Sequence, residues 1–170
     1  MLFRSRKDDE QKLRMELVEA MKKPEGKPID IKLTFRLMEI DKVNREWLKG
    51  EIEKKGWPGF TLVGFDGSDA AWLLVQHADA DVVFQKKAMK LLEDAVKRKD
   101  VRPVNLAYLT DRVLCAEGKK QVYGTQFITK DGKIEPRPIE DEANVDKRRA
   151  EVGLTSLAEY RKTLESLYGK

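Results

Sequence analysis

Apolar residues recur three and four positions apart along most of this chain, the period of an α-helix. Leu13, Leu17 and Met21 form one stripe of an otherwise charged segment, predicting an amphipathic helix over 5–23. It stops before KPEGKP, a turn or short linker. A second helical region runs from about Asp30 to Lys55, where Gly56, Trp57, Pro58 and Gly59 break the chain. FTLVGF reads as a short extended run, and DGSD as a turn whose Ser68 or Asp69 caps a helix over about 69–78. Asp79 or Asp81 caps the next helix, to about Lys99. Pro103 and Asn105 open another, ended near Glu117 by Gly118. VYGTQFITKDGKIEPRPI has the pattern of a β-hairpin turning at Asp131-Gly132. Residues from about 143 to 168 read as two short helices separated near Gly153. The expected fold class is mainly α (α+β): a single helical domain over 26–170 with a small β-hairpin, preceded by an N-terminal helix or arm over 1–25.

Composition narrows the class. The 170 residues are 41% hydrophobic and 38% charged, enough apolar content for a core and too much for a disordered chain. The net charge of +4 comes from 34 basic and 30 acidic residues that are interspersed. No basic block carries aromatics, so no nucleic-acid partner is expected. No apolar run reaches the roughly 18 residues of a membrane span, so no membrane is expected either. The first residues carry no signal-peptide pattern, and the single cysteine, Cys115, suits a reducing compartment. The expected location is the cytoplasm. Apolar residues in 1–21 would suit a homodimer contact.

The candidate chemistry lies in polar residues placed where the helical period predicts core. A buried polar group costs roughly 1–3 kcal/mol unless satisfied. His77, the only histidine, is four residues after Leu73 on one face. Asn44 falls between Ile40 and Leu48, with Asp41 one turn earlier at the edge of that face. Gln85 falls between Val82 and Met89. Asp111 and Arg112 interrupt the apolar helix NLAYLTDRVLC. Gln126 sits in the run YGTQFI behind Tyr123. Each also has a packing reading. His77 could be a satisfied core histidine, Asp111 and Arg112 structural ion-pair members, and Asn44 and Gln85 bonds to a neighbouring helix end. Asp79 and Asp81 could be caps.

The inventory removes much of the chemical menu. One histidine and one cysteine cannot build a multi-histidine or thiolate metal centre. No phosphate-binding glycine loop, nucleophile elbow or calcium loop is present. Neither a metal nor a cofactor is therefore expected. What remains is acid–base chemistry or polar ligand recognition. His77 would be the general base or acid, with Asp111 fixing its tautomer and Arg112 holding a carboxylate or oxyanion. Asn44, Gln85, Tyr123 and Gln126 would bind a small polar molecule.

Read in order, GWPG, AAWLLVQHADAD, FQ, LAYLTDRVL, YGTQF and PIED…VDKRR…GL resemble a bacterial family of single-domain proteins of unknown function, over about residues 38–160. The resemblance implies a family site of Gln76, His77, Asp79, Gln85, Asp111, Arg112, Tyr123 and Gln126. It implies no reaction. Two expectations result: a small metal-independent enzyme of hydrolase or lyase type using His77, or a non-catalytic ligand-binding or immunity-type protein using the same polar residues.

Overall fold

A computed structural model describes residues 2–21, 31–130 and 133–168. The KPEGKP segment and the Asp131-Gly132 turn lie outside the described residues. The fold is mainly α with one antiparallel two-stranded hairpin. Helices α1 (Leu2–Met21), α2 (Ile31–Lys55), α3 (Phe60–Gln76), α4 (Val82–Lys97) and α5 (Pro103–Ala116) precede strands β1 (Phe127–Lys130) and β2 (Lys133–Pro136). A 3-10 turn, Glu142–Asn144, then leads into α6 (Val145–Glu151) and α7 (Leu157–Tyr168). The chain divides into two compact units, Met1–Phe84 and Gln85–Lys170.

In the first unit α1 packs on α2 and α3, and α2 packs on α3. Leu33, Leu37, Asn44 and Leu48 are the buried positions of α2, on one face at helical spacing. Leu33 and Leu37 cluster with Leu13, and Leu17 and Ile40 pack against them. Each buried leucine contributes roughly 1.5–3 kcal/mol of transfer free energy. Gly56, in the left-handed region at φ 74°, ends α2 as expected.

One stretch departs from its sequence expectation. FTLVGF is not extended and DGSD is not a turn: Phe60 to Gln76 is one helix, bent at Gly64, whose φ of 72° and ψ of 172° only glycine adopts readily. Helical bonds begin at once, with the N–H groups of Leu62 and Val63 donating to Gly59 O. Ser68 is fully buried inside the helix rather than capping it. Gly67 serves packing, since a Cβ there would sit 2.9 Å from the Cβ of Val63. An apolar run this short has no period that separates strand from helix.

The next cap is Asp81, whose Oδ1 accepts from the N–H of Phe84 at 2.9 Å. Lys49 holds its other oxygen at 2.6 Å. In the second unit Pro103 opens α5 and Gly118, at φ 72°, follows it. The hairpin pairs Phe127 with Pro136 and Lys130 with Lys133. Gly153, at φ 81°, separates α6 from α7. Tyr160 of α7 meets Tyr108 and Phe127 edge-on, with ring centroids 6.1 and 5.6 Å away.

Candidate functional site

The site in the first unit begins with the stripe of α1. Positions 6, 10, 13 and 17 share a helix face, so the side that buries Leu13 also carries Glu10 inward. Glu10 is fully buried. An ionised carboxylate in the interior costs several kcal/mol unless it is paired and hydrogen-bonded. Here the pairing is dense. Nδ1 of His77 and Nε of Arg14 both contact Oε1 of Glu10. Nε2 of Gln11 donates to Oε2 at 3.3 Å.

Helix α2 adds a second carboxylate. Nη2 of Arg14 donates to both oxygens of Asp41, at 3.0 and 2.8 Å. The Glu10 charge also acts on Asp41. The two acids respond in opposite directions. Burial opposes the charged form of Glu10, but the hydrogen bond and charge of His77, then those of Arg14, outweigh it and hold the carboxyl below its usual range. Burial drives Asp41 upward against Arg14, and the neighbouring Glu10 charge adds to the rise, so its pKa reaches about 6.

His77 is the C-cap residue of α3, with φ −93° and ψ 5°, and its N–H donates to Leu73 O at 3.1 Å. Its backbone is thus fixed by the helix end and its ring by Glu10. Its Nδ1 is directed at the Glu10 carboxylate, which sets the orientation of the ring. Arg14, Asp41 and His77 retain 29%, 21% and 16% side-chain exposure while Glu10 retains none. The cluster therefore has a buried anionic floor and a rim that solvent reaches. Beside it, Nη1 of Arg6 donates to Oδ1 of Asn44 at 3.0 Å. The guanidinium of Arg6 stacks over Trp47, 4.4 Å from the ring centroid.

Of the expected residues, the structure places His77 in this cluster and Asn44 one helical turn from Asp41, bonded to Arg6. It adds Glu10, Arg14 and Arg6 from α1, and Asp41, which had appeared only at the edge of a face. Gln76 is buried at the end of α3, and Asp79 is exposed in the following turn. The signal for the α1 residues was the stripe itself, which continues backwards through charged residues.

The remaining expected residues lie in the second unit, where the geometry builds a loop. Gln85 is fully buried on α4, and Arg112 is half-buried on α5. Asp111, fully buried, accepts from the N–H of Val122 at 2.7 Å, of Tyr123 at 3.0 Å and of Thr125 at 2.9 Å. It also accepts from the Thr125 hydroxyl at 3.0 Å. Arg149, equally buried, donates to the carbonyls of Tyr123 and Thr155, both at 2.6 Å. Gln121 joins the loop ends, its Oε1 accepting from Gln126 N at 2.8 Å and its Nε2 donating to Gln126 O at 2.9 Å. Nε2 of Gln126 donates to the Thr125 hydroxyl at 3.1 Å. Burial and the Asp111 charge raise the Tyr123 hydroxyl pKa. Asp111 and Gln126 therefore hold this loop, and the carboxylate that His77 touches is Glu10.

No helix among the described residues is long and apolar enough to cross a membrane. No curated protein and no solved structure matches the chain. A family model covers residues 4–170, nearly the whole sequence, and on that match the chain belongs to DUF6624, a family of unknown function.

Proposed function

We propose that this protein is a small enzyme that carries out metal-independent acid–base chemistry on a small polar substrate, of hydrolase or lyase type, with His77 as the proton-transfer group. The observation that carries this reading is the buried Glu10 carboxylate against Nδ1 of His77, with Arg14 and Asp41 at its edge. A carboxylate that fixes the imidazole orients Nε2 and supports the proton it takes up. Asp41, titrating near 6, is matched to proton transfer close to neutral pH. Arg14 supplies a fixed positive charge for a developing oxyanion. Asn44, held by Arg6, borders the same cluster. Asp111 and Arg112 enter this reading as scaffold of the second unit. A bacterial cytoplasm is the setting that the single cysteine and the family resemblance favour. A homodimer through exposed Leu2 and Met15 of α1 belongs to the same reading.

The test is turnover of a pool of small polar esters, amides and hydroxy acids, followed by mass spectrometry, with wild type beside His77→Gln and Glu10→Gln. Wild type alone should consume a compound, with a pH–rate limb near the histidine range. Turnover that survives His77→Gln would remove His77 from the reading, and a pool left intact while ligands bind would support the non-catalytic alternative instead.

A further inference from the structure

Glu10 is touched by His77, Arg14 and Gln11, and Arg14 joins it to Asp41, so that His77, Arg14 and Asp41 gather at one carboxylate. All three of those side chains therefore stand within the width of one carboxylate of each other, and all three are partly exposed. Arg14 commits Nε to Glu10 and Nη2 to Asp41, while its Nη1 donates to no described residue. A guanidinium presents its donors in a rigid fork, so an arginine held on two edges offers its remaining amino group in a fixed direction.

We propose that this cluster binds a small carboxylate, as ligand or as the charged handle of its substrate, with one oxygen on Nη1 of Arg14 and the other on the Asp41 carboxyl. The proposal rests on the reading of the cluster as a functional site and specifies what enters it. A carboxylate fits the donors better than a phosphate dianion. Arg14 is the fixed cation of the cluster, and Glu10 and Asp41 already face it, so little positive charge remains for a dianion. That leaves room for a single negative charge. The charged groups facing Asp41 are Arg14 and Glu10 of α1, with the titratable His77 of α3 on the same Glu10 carboxylate. With Asp41 neutral, its hydroxyl is a donor to the incoming oxygen. With Asp41 ionised, the ligand meets a like charge. Binding is therefore strong in mild acid and weak in mild alkali.

The chain has one histidine, so its ring resonances report on this cluster without assignment. The probe is acetate, titrated into the full chain at about pH 5 and about pH 8, on either side of the range where histidine and Asp41 change charge. Wild type should give saturable shifts at the lower pH and bind about tenfold or more weakly at the higher, the effect of one like charge. Asp41→Asn should recover most of the affinity at the higher pH, and Arg14→Lys should lose it at both. Backbone amide spectra identify any variant that fails to fold, and Asp41→Asn then stands alone. Absence of saturation in folded wild type at the lower pH overturns the proposal. So does an Asp41→Asn variant that binds no better than wild type at the higher pH. Acetate binding without turnover of any substrate would sink the enzymatic reading and leave this one standing. Turnover that acetate does not inhibit would do the reverse.

Discussion

Asp111 and Arg149 hold one loop by its two opposite polarities. Asp111 accepts the N–H groups of Val122, Tyr123 and Thr125, and Arg149 donates to the carbonyls of Tyr123 and Gly124. Each is fully buried, so each would leave unsatisfied backbone groups behind if removed. Asp111→Asn and Arg149→Met should each lose about 2–4 kcal/mol in urea unfolding. Because both act on the same four-residue stretch of loop, the double variant should cost less than the sum by at least about 0.5 kcal/mol. Additive losses would mean that the two side chains stabilise separate structures.

Glu10→Gln keeps the size of the side chain and puts an amide where Arg14 and His77 expect a carboxylate. The loss should be about 3–5 kcal/mol, the usual result of removing one partner from a buried charged group. Glu10→Leu, which removes the polar group outright, leaves the half-exposed Arg14 with Asp41 and should cost less than Glu10→Gln. Chemical denaturation of both variants gives the order directly.

Asp41 should make the protein less stable as pH rises. Its carboxyl binds a proton more tightly in the folded chain, with a pKa of about 6, than at the ordinary 3.8. The folded state therefore holds the extra proton between about pH 4 and 6, and stability falls across that window. Two pKa units correspond to roughly 3 kcal/mol. Glu10 runs the other way, since its lowered pKa adds stability that is lost only in stronger acid. Measured at about pH 4 and about pH 7, wild type should lose roughly 2–3 kcal/mol relative to Asp41→Asn. Parallel pH profiles for the two proteins would remove Asp41 from the account.

Gly124 combines two constraints. Its φ is 67°, and a Cβ there would lie 2.8 Å from Leu157 and 3.0 Å from Ile139. Gly124→Ala should cost about 2–4 kcal/mol, from backbone strain plus overpacking. Gly118, at φ 72° with open space around it, isolates the first component. Gly118→Ala should cost about 1–2 kcal/mol. Thermal unfolding midpoints that match for the two variants would rule out the packing component.

Local rules carried most of the secondary structure. The helical stripes, the cap at Asp81, Gly118 after α5 and the strands either side of 131–132 all follow from signals within a few residues. FTLVGF did not, because six apolar and small residues satisfy either period, and its helix depends on how Val63 meets Gly67. For the site, the apolar faces pointed to His77 and Asn44, since a polar residue on such a face must find a partner. The partner itself was not readable. Glu10 and Arg14 are ordinary charged residues of a charged helix until α1 docks, and the apolar stripe marked by Leu13 and Leu17 does not distinguish them from its other charged residues. Asp111 was visible as a polar residue on an apolar helix, but the N–H groups that donate to it lie more than ten positions away, beyond any helical period.

The origin of Glu10 and Arg14 in α1 has a consequence for how such a site could be controlled. The imidazole end belongs to α3, and the carboxylate that orients it belongs to the first helix. Peeling α1 away would therefore not merely uncover apolar surface. It would separate the proton acceptor from the residue that aims it, and would leave Asp41 without its cation. Docking of residues 2–21 is thus the assembly step of the cluster. A cleavage, an N-terminal fusion or a binder that competes for the Glu10 face would act as an off-switch while leaving every residue of α2 and α3 in place.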